Sequence, residues 1–328
     1  MSSLEVLAGE SDILSLQRKS ADPIFDKQNL IFLNELSKSI LRNRSYKEFT
    51  DIVAFAFFIR KANLNSYRKI YKDVLNDSIG RGLVFHIAPS NVPINFAYSL
   101  AAGLCSGNNN IIKVSSKEFL QTDIICDELS KLFSIDEFSC FKKKISIVRY
   151  DKNQEINRTL SEKCDARIIW GGDNTVRDIR KFPIQPRSID ITFPDRFSIC
   201  IVDSKNYLQE EDKTKIAEGF YNDTYFFDQN ACTSPRLIYW LGNTKDNSNA
   251  QDIFYKVLKD MIKKKNYEIN SWISSNRVTS TYMASIDLEI KSIISDEETP
   301  LTVVTLKELQ KGLYKYNSPG GVFFQYNS

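Results

Sequence analysis

GLVFHIAPSNVPINFAYSLAAGLCSGNNNIIKVSS, residues 82–116, holds two short apolar runs separated by one helix-like stretch. GLVFHI closes on Pro89, and NIIKV closes on Ser115 and Ser116. Between them NFAYSLAAGLC has the apolar spacing of a helix. Three further runs of the same kind follow: KKKISIVRYD (142–151), ARIIWGGD (166–173) and RFSICIVD (196–203). FLQTDIICDELSKLF, before the first of these, is again helix-like. Short apolar strands alternating with helices indicate βαβ units and a parallel sheet. Near-continuous apolar strands fit a sheet covered on both faces. Residues 82–203 therefore read as a five-strand α/β domain.

Outward from this core the pattern changes. Residues 24–76 read as helices. In IFLNELSKSILRN the apolar residues Ile31, Leu33, Leu36, Ile40 and Leu41 recur at helical spacing, and TDIVAFAFFIRKANL and SYRKIYKDVL continue in that style. Their lysines and arginines mark the wet faces. Beyond Cys232, RLIYWLG reads as a strand, AQDIFYKVLKDMIKKKNY as a helix, and TPLTVVTL and GGVFFQYN as further strands. Lys263–Lys265 sit in the last turn of that helix, where cations favour the dipole. The organisation expected is a helical region at 1–80 packed on an α/β domain at 81–225, then a smaller α/β domain at 226–328.

The 328 residues are 42% apolar and 26% charged, which suits a folded chain with a sizeable core. Forty-four basic against 41 acidic residues leave a net charge of only +3, too small for a general nucleic-acid or membrane-surface binder. Six cysteines show no CxxC pair, and His86 is the only histidine, so neither a metal site nor a multi-histidine relay is expected. MSSLEVLAGESDILSLQRKS carries acidic residues and no uninterrupted apolar core, unlike a signal peptide. The apolar run that contains AFAFFI (54–59) is bounded by Asp51 and Arg60 and is far short of a membrane span. A reduced, cytoplasmic chain is the expectation.

GxGxxG and GxxxxGK[ST] are both absent, which excludes the ordinary dinucleotide fingerprint and the P-loop. Ligands of an open α/β sheet still gather beyond the carboxyl ends of its strands. In HIAPSNVP, Pro89, Ser90 and Asn91 form a stiff turn. The Asn91 amide either donates to a developing oxyanion or caps the next helix. In NIIKVSSK, Lys113 with Ser115, Ser116 and Lys117 suits a ribose or phosphate, or is an ordinary exposed cation. In WGGDNTVRDIR, Gly171 and Gly172 either let a ligand approach a helix N-terminus or simply make a turn. In DQNACTSPRL, Cys232 lies in a polar turn, where a thiol can be exposed and reactive, unlike Cys200 inside the apolar FSICIVD.

Taken in order, these stretches resemble the aldehyde dehydrogenase superfamily, and more closely its LuxC-type fatty-acyl reductase branch. The carrying segments are residues 82–116, IIWGGDNTVRDIR, FPDRFSICIVD and FDQNACTSP; the likeness is good over about 80–240 and looser elsewhere. It implies an aldehyde dehydrogenase-like fold with a parallel-sheet cofactor domain and a smaller catalytic domain. It implies that Cys232 is the acyl-accepting nucleophile and that Asn91 holds the oxyanion with the Cys232 backbone N–H. It implies that Lys113 contacts the cofactor ribose, with Pro89, Ser90, Ser115 and Ser116 around it, and that Gly171 and Gly172 form the turn beneath the pyrophosphate.

Hydrolytic aldehyde dehydrogenases carry a glutamate in an ELGGK-like segment that activates water. The matching stretch here, ITFPDRFSIC, has no glutamate and no glycine pair. A thioester on Cys232 should then persist and accept hydride, so the reaction expected is acyl-thioester reduction to an aldehyde. Asp195, the one acid in that stretch, reads as a charge partner of Arg196. NAD-selective members place a glutamate two or three positions after the ribose lysine; here stand Ser115 and Ser116, then Lys117, which favours NADPH, with NADH the second choice. The acyl donor expected is CoA or a protein carrier, with an acyl-protein synthetase or acyltransferase as partner, and the chain as a homo-oligomer. Family members run past the point matching GGVFFQYN, so the second domain is expected to be short. The alternatives are a catalytically weak scaffold or partner subunit of an acyl-reductase complex, and a hydrolytic aldehyde dehydrogenase.

Overall fold

The computed structural model describes residues 4–18, 20–75 and 77–328; residues 1–3 and Lys19 of the N-terminal stretch, and Asn76 at the end of the predicted helical region, lie outside the described residues. The chain forms two compact units, Met1–Asp195 and Arg196–Ser328.

The first unit opens with β1 (Glu5–Gly9) and then helices α1 (Lys27–Arg42), α2 (Thr50–Phe58), α3 (Lys61–Ile70) and α4 (Lys72–Leu75). The Asp26 carboxylate caps α1 by accepting from the N–H groups of Gln28 and Asn29. Leu30, Leu33, Leu36 and Ile40 form the buried stripe of α1. Phe32 stacks on Phe141 at 4.1 Å, so this helical region packs on the α/β core. That core follows as β2 (Leu83–Ile87), α5 (Asn95–Cys105), β3 (Asn109–Lys113), α6 (Leu120–Phe133), β4 (Ile145–Arg149), α7 (Gln154–Lys163), β5 (Ala166–Trp170), α8 (Asp173–Arg180) and β6 (Ile189–Phe193). The sheet order is β1-β4-β3-β2-β5-β6. All neighbours are parallel except β1, which pairs antiparallel with β4. Every residue of β2 is buried, as its unbroken apolar run requires.

The second unit contains β7 (Ser198–Asp203), α9 (Ser204–Gln209), α10 (Lys213–Thr224), β8 (Pro235–Leu241), α11 (Thr244–Lys264), α12 (Ser271–Asp287), β9 (Ile290–Ser295), β10 (Thr302–Leu306) and β11 (Val322–Asn327). Its sheet runs β7-β8-β11-β10-β9, parallel but for β9. Trp240, Phe254, Phe220 and Phe323 anchor the core on one face, and Leu237, Val304, Leu306 and Phe324 the core on the other.

Two strand assignments differ from the sequence reading. RFSICIVD is not the fifth strand of the first sheet; as β7 it pairs in parallel with β8 in the second. The fifth parallel strand of the first sheet is Ile189–Phe193, whose acid at the second position hides it. Asp190 is neutralised there by Arg167, 1% exposed, through bonds of 2.7 and 2.9 Å. A sixth strand, β1, comes from the N-terminal stretch. The compact units accordingly divide at Asp195–Arg196, ahead of the 225–226 boundary read from the sequence, because residues 196–225 begin the second sheet.

Candidate active site

Within the first unit, β2 has β3 on one side and β5 on the other. Chain order therefore reverses between β2 and β5, and such a switch point opens a crevice beyond the carboxyl ends of the strands. Three of the segments singled out in the sequence lie at these ends. Pro89, Ser90 and Asn91 follow β2, with Pro89 half-buried and the other two exposed. Lys113 ends β3 and leads to Ser115 and Ser116. Gly171 and Gly172 follow β5 and open α8. Asn91 is not the cap of α5: that helix starts after Ile94 with no side-chain cap.

The electrostatics differ among the three ends. Lys113 Nζ lies over the Tyr150 ring at 5.0 Å. Burial pushes its pKa down, and the Asp151 carboxylate works against that push. Ser115 Oγ accepts from the Lys117 N–H at 3.1 Å, which shapes the turn after β3. At α8 the N-terminus faces Asp195, whose Oδ2 accepts from the Asp173 N–H at 3.3 Å. A β-carbon at Gly172 would lie 2.7 Å from that same oxygen, so a side chain there would push the Asp195 carboxylate aside. Asp195, read from the sequence as a partner of Arg196, is instead an acid at the start of α8.

Cys232 belongs to the second unit, in the turn between α10 and β8, and it is exposed. Burial by contrast raises the thiol pKa of Cys200 and holds those of Cys105, Cys126 and Cys164 up at about 12. The loop leading to Cys232 contains two successive non-glycine residues in the left-handed region, Asp228 at φ 52° and Gln229 at φ 60°. Such backbone persists only when its surroundings over-determine it. Gln229, fully buried, does much of that. Its Nε2 donates to Pro235 O at 2.9 Å and Val322 O at 3.0 Å, and its Oε1 accepts from the N–H groups of Gly321 and Val322. Arg236 donates to Gln229 O and to Ser318 O, both at 2.7 Å. Tyr267 donates to Asp228 Oδ1 at 2.8 Å, and Ser198 Oγ to Cys232 O at 2.7 Å. Gly321 is indispensable to this clasp: at φ 85°, a β-carbon would meet Pro300 O at 2.0 Å. Gln229 and Arg236 were not marked by sequence reading. Gln229 lies in the quoted DQNACTSPRL, but its partners are up to 93 positions away.

The acyl-CoA reductase (LuxC) family profile matches residues 29–298. Among curated proteins, the chain is 25% identical over 166 residues to the long-chain acyl-protein thioester reductase of Aliivibrio fischeri, covering 50% of this chain and 33% of that one. It is 27% identical over 191 residues to long-chain acyl-protein thioester reductase 2 of Photobacterium leiognathi, covering 57% and 36%. The matched part thus spans about a third of those relatives' length. Among solved structures, a putative aldehyde dehydrogenase from Burkholderia cenocepacia superposes with TM-score 0.67 at 14% identity, covering 95% of this chain and 71% of that one. Aldehyde dehydrogenase 21 from Physcomitrella patens superposes with TM-score 0.63 at 15% identity, covering 92% and 68%. The fold is aldehyde dehydrogenase-like.

Proposed function

The chain belongs to the LuxC acyl-CoA reductase family, and from that premise we propose that it reduces acyl thioesters to aldehydes through Cys232. The observation that carries the reading is the exposed Cys232 in a loop held by buried hydrogen bonds. The Cys232 thiolate attacks the carbonyl carbon of a CoA-bound or carrier-bound acyl group. The tetrahedral oxyanion collapses and expels the donor thiolate, which takes up a proton, and the acyl group stays on Cys232 as a thioester. The resemblance gives Asn91 the role of side-chain donor to that oxyanion, a contact worth about 3 kcal/mol when well aimed. A reduced nicotinamide cofactor, when bound, would supply the hydride that turns this thioester into aldehyde and frees the thiolate.

The donor set of the first unit suits such a dinucleotide. Lys113 offers an ammonium group, Ser115 and Ser116 offer hydroxyls, and the Gly171–Gly172 turn brings backbone close to the crevice. Pro89 and Ser90 form the adjoining wall. Asp195 and Asp173, the first residue of α8, are the adverse charges at the start of that helix. With Ser116 and Lys117 at the turn after β3, NADPH is the preferred form. The missing glutamate in ITFPDRFSIC favours reduction over hydrolysis, and its only acid, Asp195, is engaged at α8. An acyl-protein synthetase or acyltransferase would supply the acyl group, and a homo-oligomer is the working form.

The test is product analysis with acyl-CoA and NADPH. Equal amounts of aldehyde and oxidised cofactor, both lost in Cys232→Ala, support the proposal. Free acid as product, or unchanged turnover in the variant, defeats it.

A further inference from the structure

The only histidine of the chain is buried in the first sheet, and both of its ring nitrogens are hydrogen-bonded. The direction of each bond follows from its neighbours. Asn110 Nδ2 donates to Asn108 O at 2.7 Å, which leaves Asn110 Oδ1 to face His86 Nε2 at 3.0 Å as acceptor. Nε2 therefore carries the proton. Burial pushes the pKa of His86 down to about 4, so the ring is neutral and Nδ1 is a bare acceptor. Ser99 Oγ, 2.8 Å away, must donate to it. The remaining capacity of Ser99 Oγ accepts from Trp170 Nε1 at 3.1 Å. The chain of bonds runs one way, from Trp170 through Ser99, His86 and Asn110 to a backbone carbonyl. Gly103 on α5 makes room for it: a β-carbon there would lie 1.9 Å from Asn110 Oδ1.

Trp170 is the last residue of β5 and directly precedes Gly171 and Gly172. Its indole stacks on Phe193, centroids 3.8 Å apart and planes within 8°. The stack sets the plane of the ring, and the bond to Ser99 sets its rotation within that plane. A large aromatic group at the switch point is thus held by a polar network that reaches across β2 and β3. Nothing in the acylation of Cys232 uses this network.

We propose that Ser99 and His86 are positioning residues: by fixing the Trp170 indole at the carboxyl end of β5, they set the affinity of the first unit for its nicotinamide cofactor. This rests on the reading of that unit as the cofactor-binding half. Ser99→Ala removes one oxygen and leaves the Trp170 donor and the His86 acceptor without partners. Misplacing the aromatic group that adjoins the Gly171–Gly172 turn should weaken NADPH binding about tenfold, the range of one buried hydrogen bond left unmade.

The experiment is a double-mutant cycle with Ser99→Ala and Trp170→Phe. NADPH dissociation constants are read by titration, with melting temperature and the rate of Cys232 acylation by acyl-CoA measured alongside. The expected result is an approximately tenfold weaker Kd for Ser99→Ala, unchanged acylation, and no further effect of Ser99→Ala in the Trp170→Phe background. Unchanged NADPH affinity in a folded Ser99→Ala protein overturns the inference. So does an equal loss in both backgrounds, which would assign Ser99 a merely structural role. A wild-type chain that binds no reduced nicotinamide dinucleotide overturns the reading of the first unit, and this inference with it.

Discussion

Replacing Gln229 with alanine strips the second unit of four hydrogen bonds at once and leaves the carbonyls of Pro235 and Val322 and the N–H groups of Gly321 and Val322 without their partner. The expected cost is about 3 kcal/mol, read as a lower urea midpoint for that unit. His86 gives a pH effect of definite sign. In the unfolded chain the ring takes a proton near its ordinary 6.5, in the fold only near 4. Between those values the unfolded chain binds a proton that the folded one does not, so stability is intact above about pH 6.5 and falls as pH drops toward 4. The loss should reach about 3 kcal/mol, and His86→Gln should flatten that part of the profile. At this scale the sequence is partly legible. Cys232 stands out because Asn230, Thr233 and Ser234 make its turn polar. The Gln229 clasp and the Trp170 network join residues from distant segments, and no local pattern encodes them.

Among the elements, β6 depends on the pairing of its Asp190 with Arg167, with Arg180 also 3.6 Å from that carboxylate. Arg167 is buried and donates to both carboxylate oxygens of Asp190. Asp190→Ala would leave that guanidinium buried and unpaired, at an expected cost of about 3–5 kcal/mol, measured by chemical denaturation. The same pair explains why the strand escaped the periodicity argument: an acid within a five-residue strand looks like a loop until its partner is known. The α/β alternation from 82 onward was legible because apolar runs report burial on both faces, which is what β2 shows. β7 was readable as a strand but not as a member of the second sheet, since a run of apolar residues does not specify its pairing partner. The turn after β3 carries its own prediction. If the proposed NADPH reading holds, Ser116→Glu adds a carboxylate that would repel a 2′-phosphate and should turn a preference for NADPH into one for NADH. The ratio of kcat/KM for the two cofactors reads it directly.

Over the whole molecule, the residues proposed to hold the cofactor all belong to the unit Met1–Asp195, and the proposed nucleophile belongs to Arg196–Ser328. The family match at residues 29–298 spans both. On the proposed mechanism acylation of Cys232 needs no cofactor, so the two half-steps can be observed apart. The LuxC-type assignment was legible because four short stretches recur in order along the chain, each beside a strand end. The most direct measurement is the intact mass of the protein after exposure to a long-chain acyl-CoA, before and after NADPH is added. The account predicts one added acyl group, absent in Cys232→Ala, that disappears with NADPH as aldehyde is released. An unmodified mass, or an adduct that NADPH leaves in place, would contradict it.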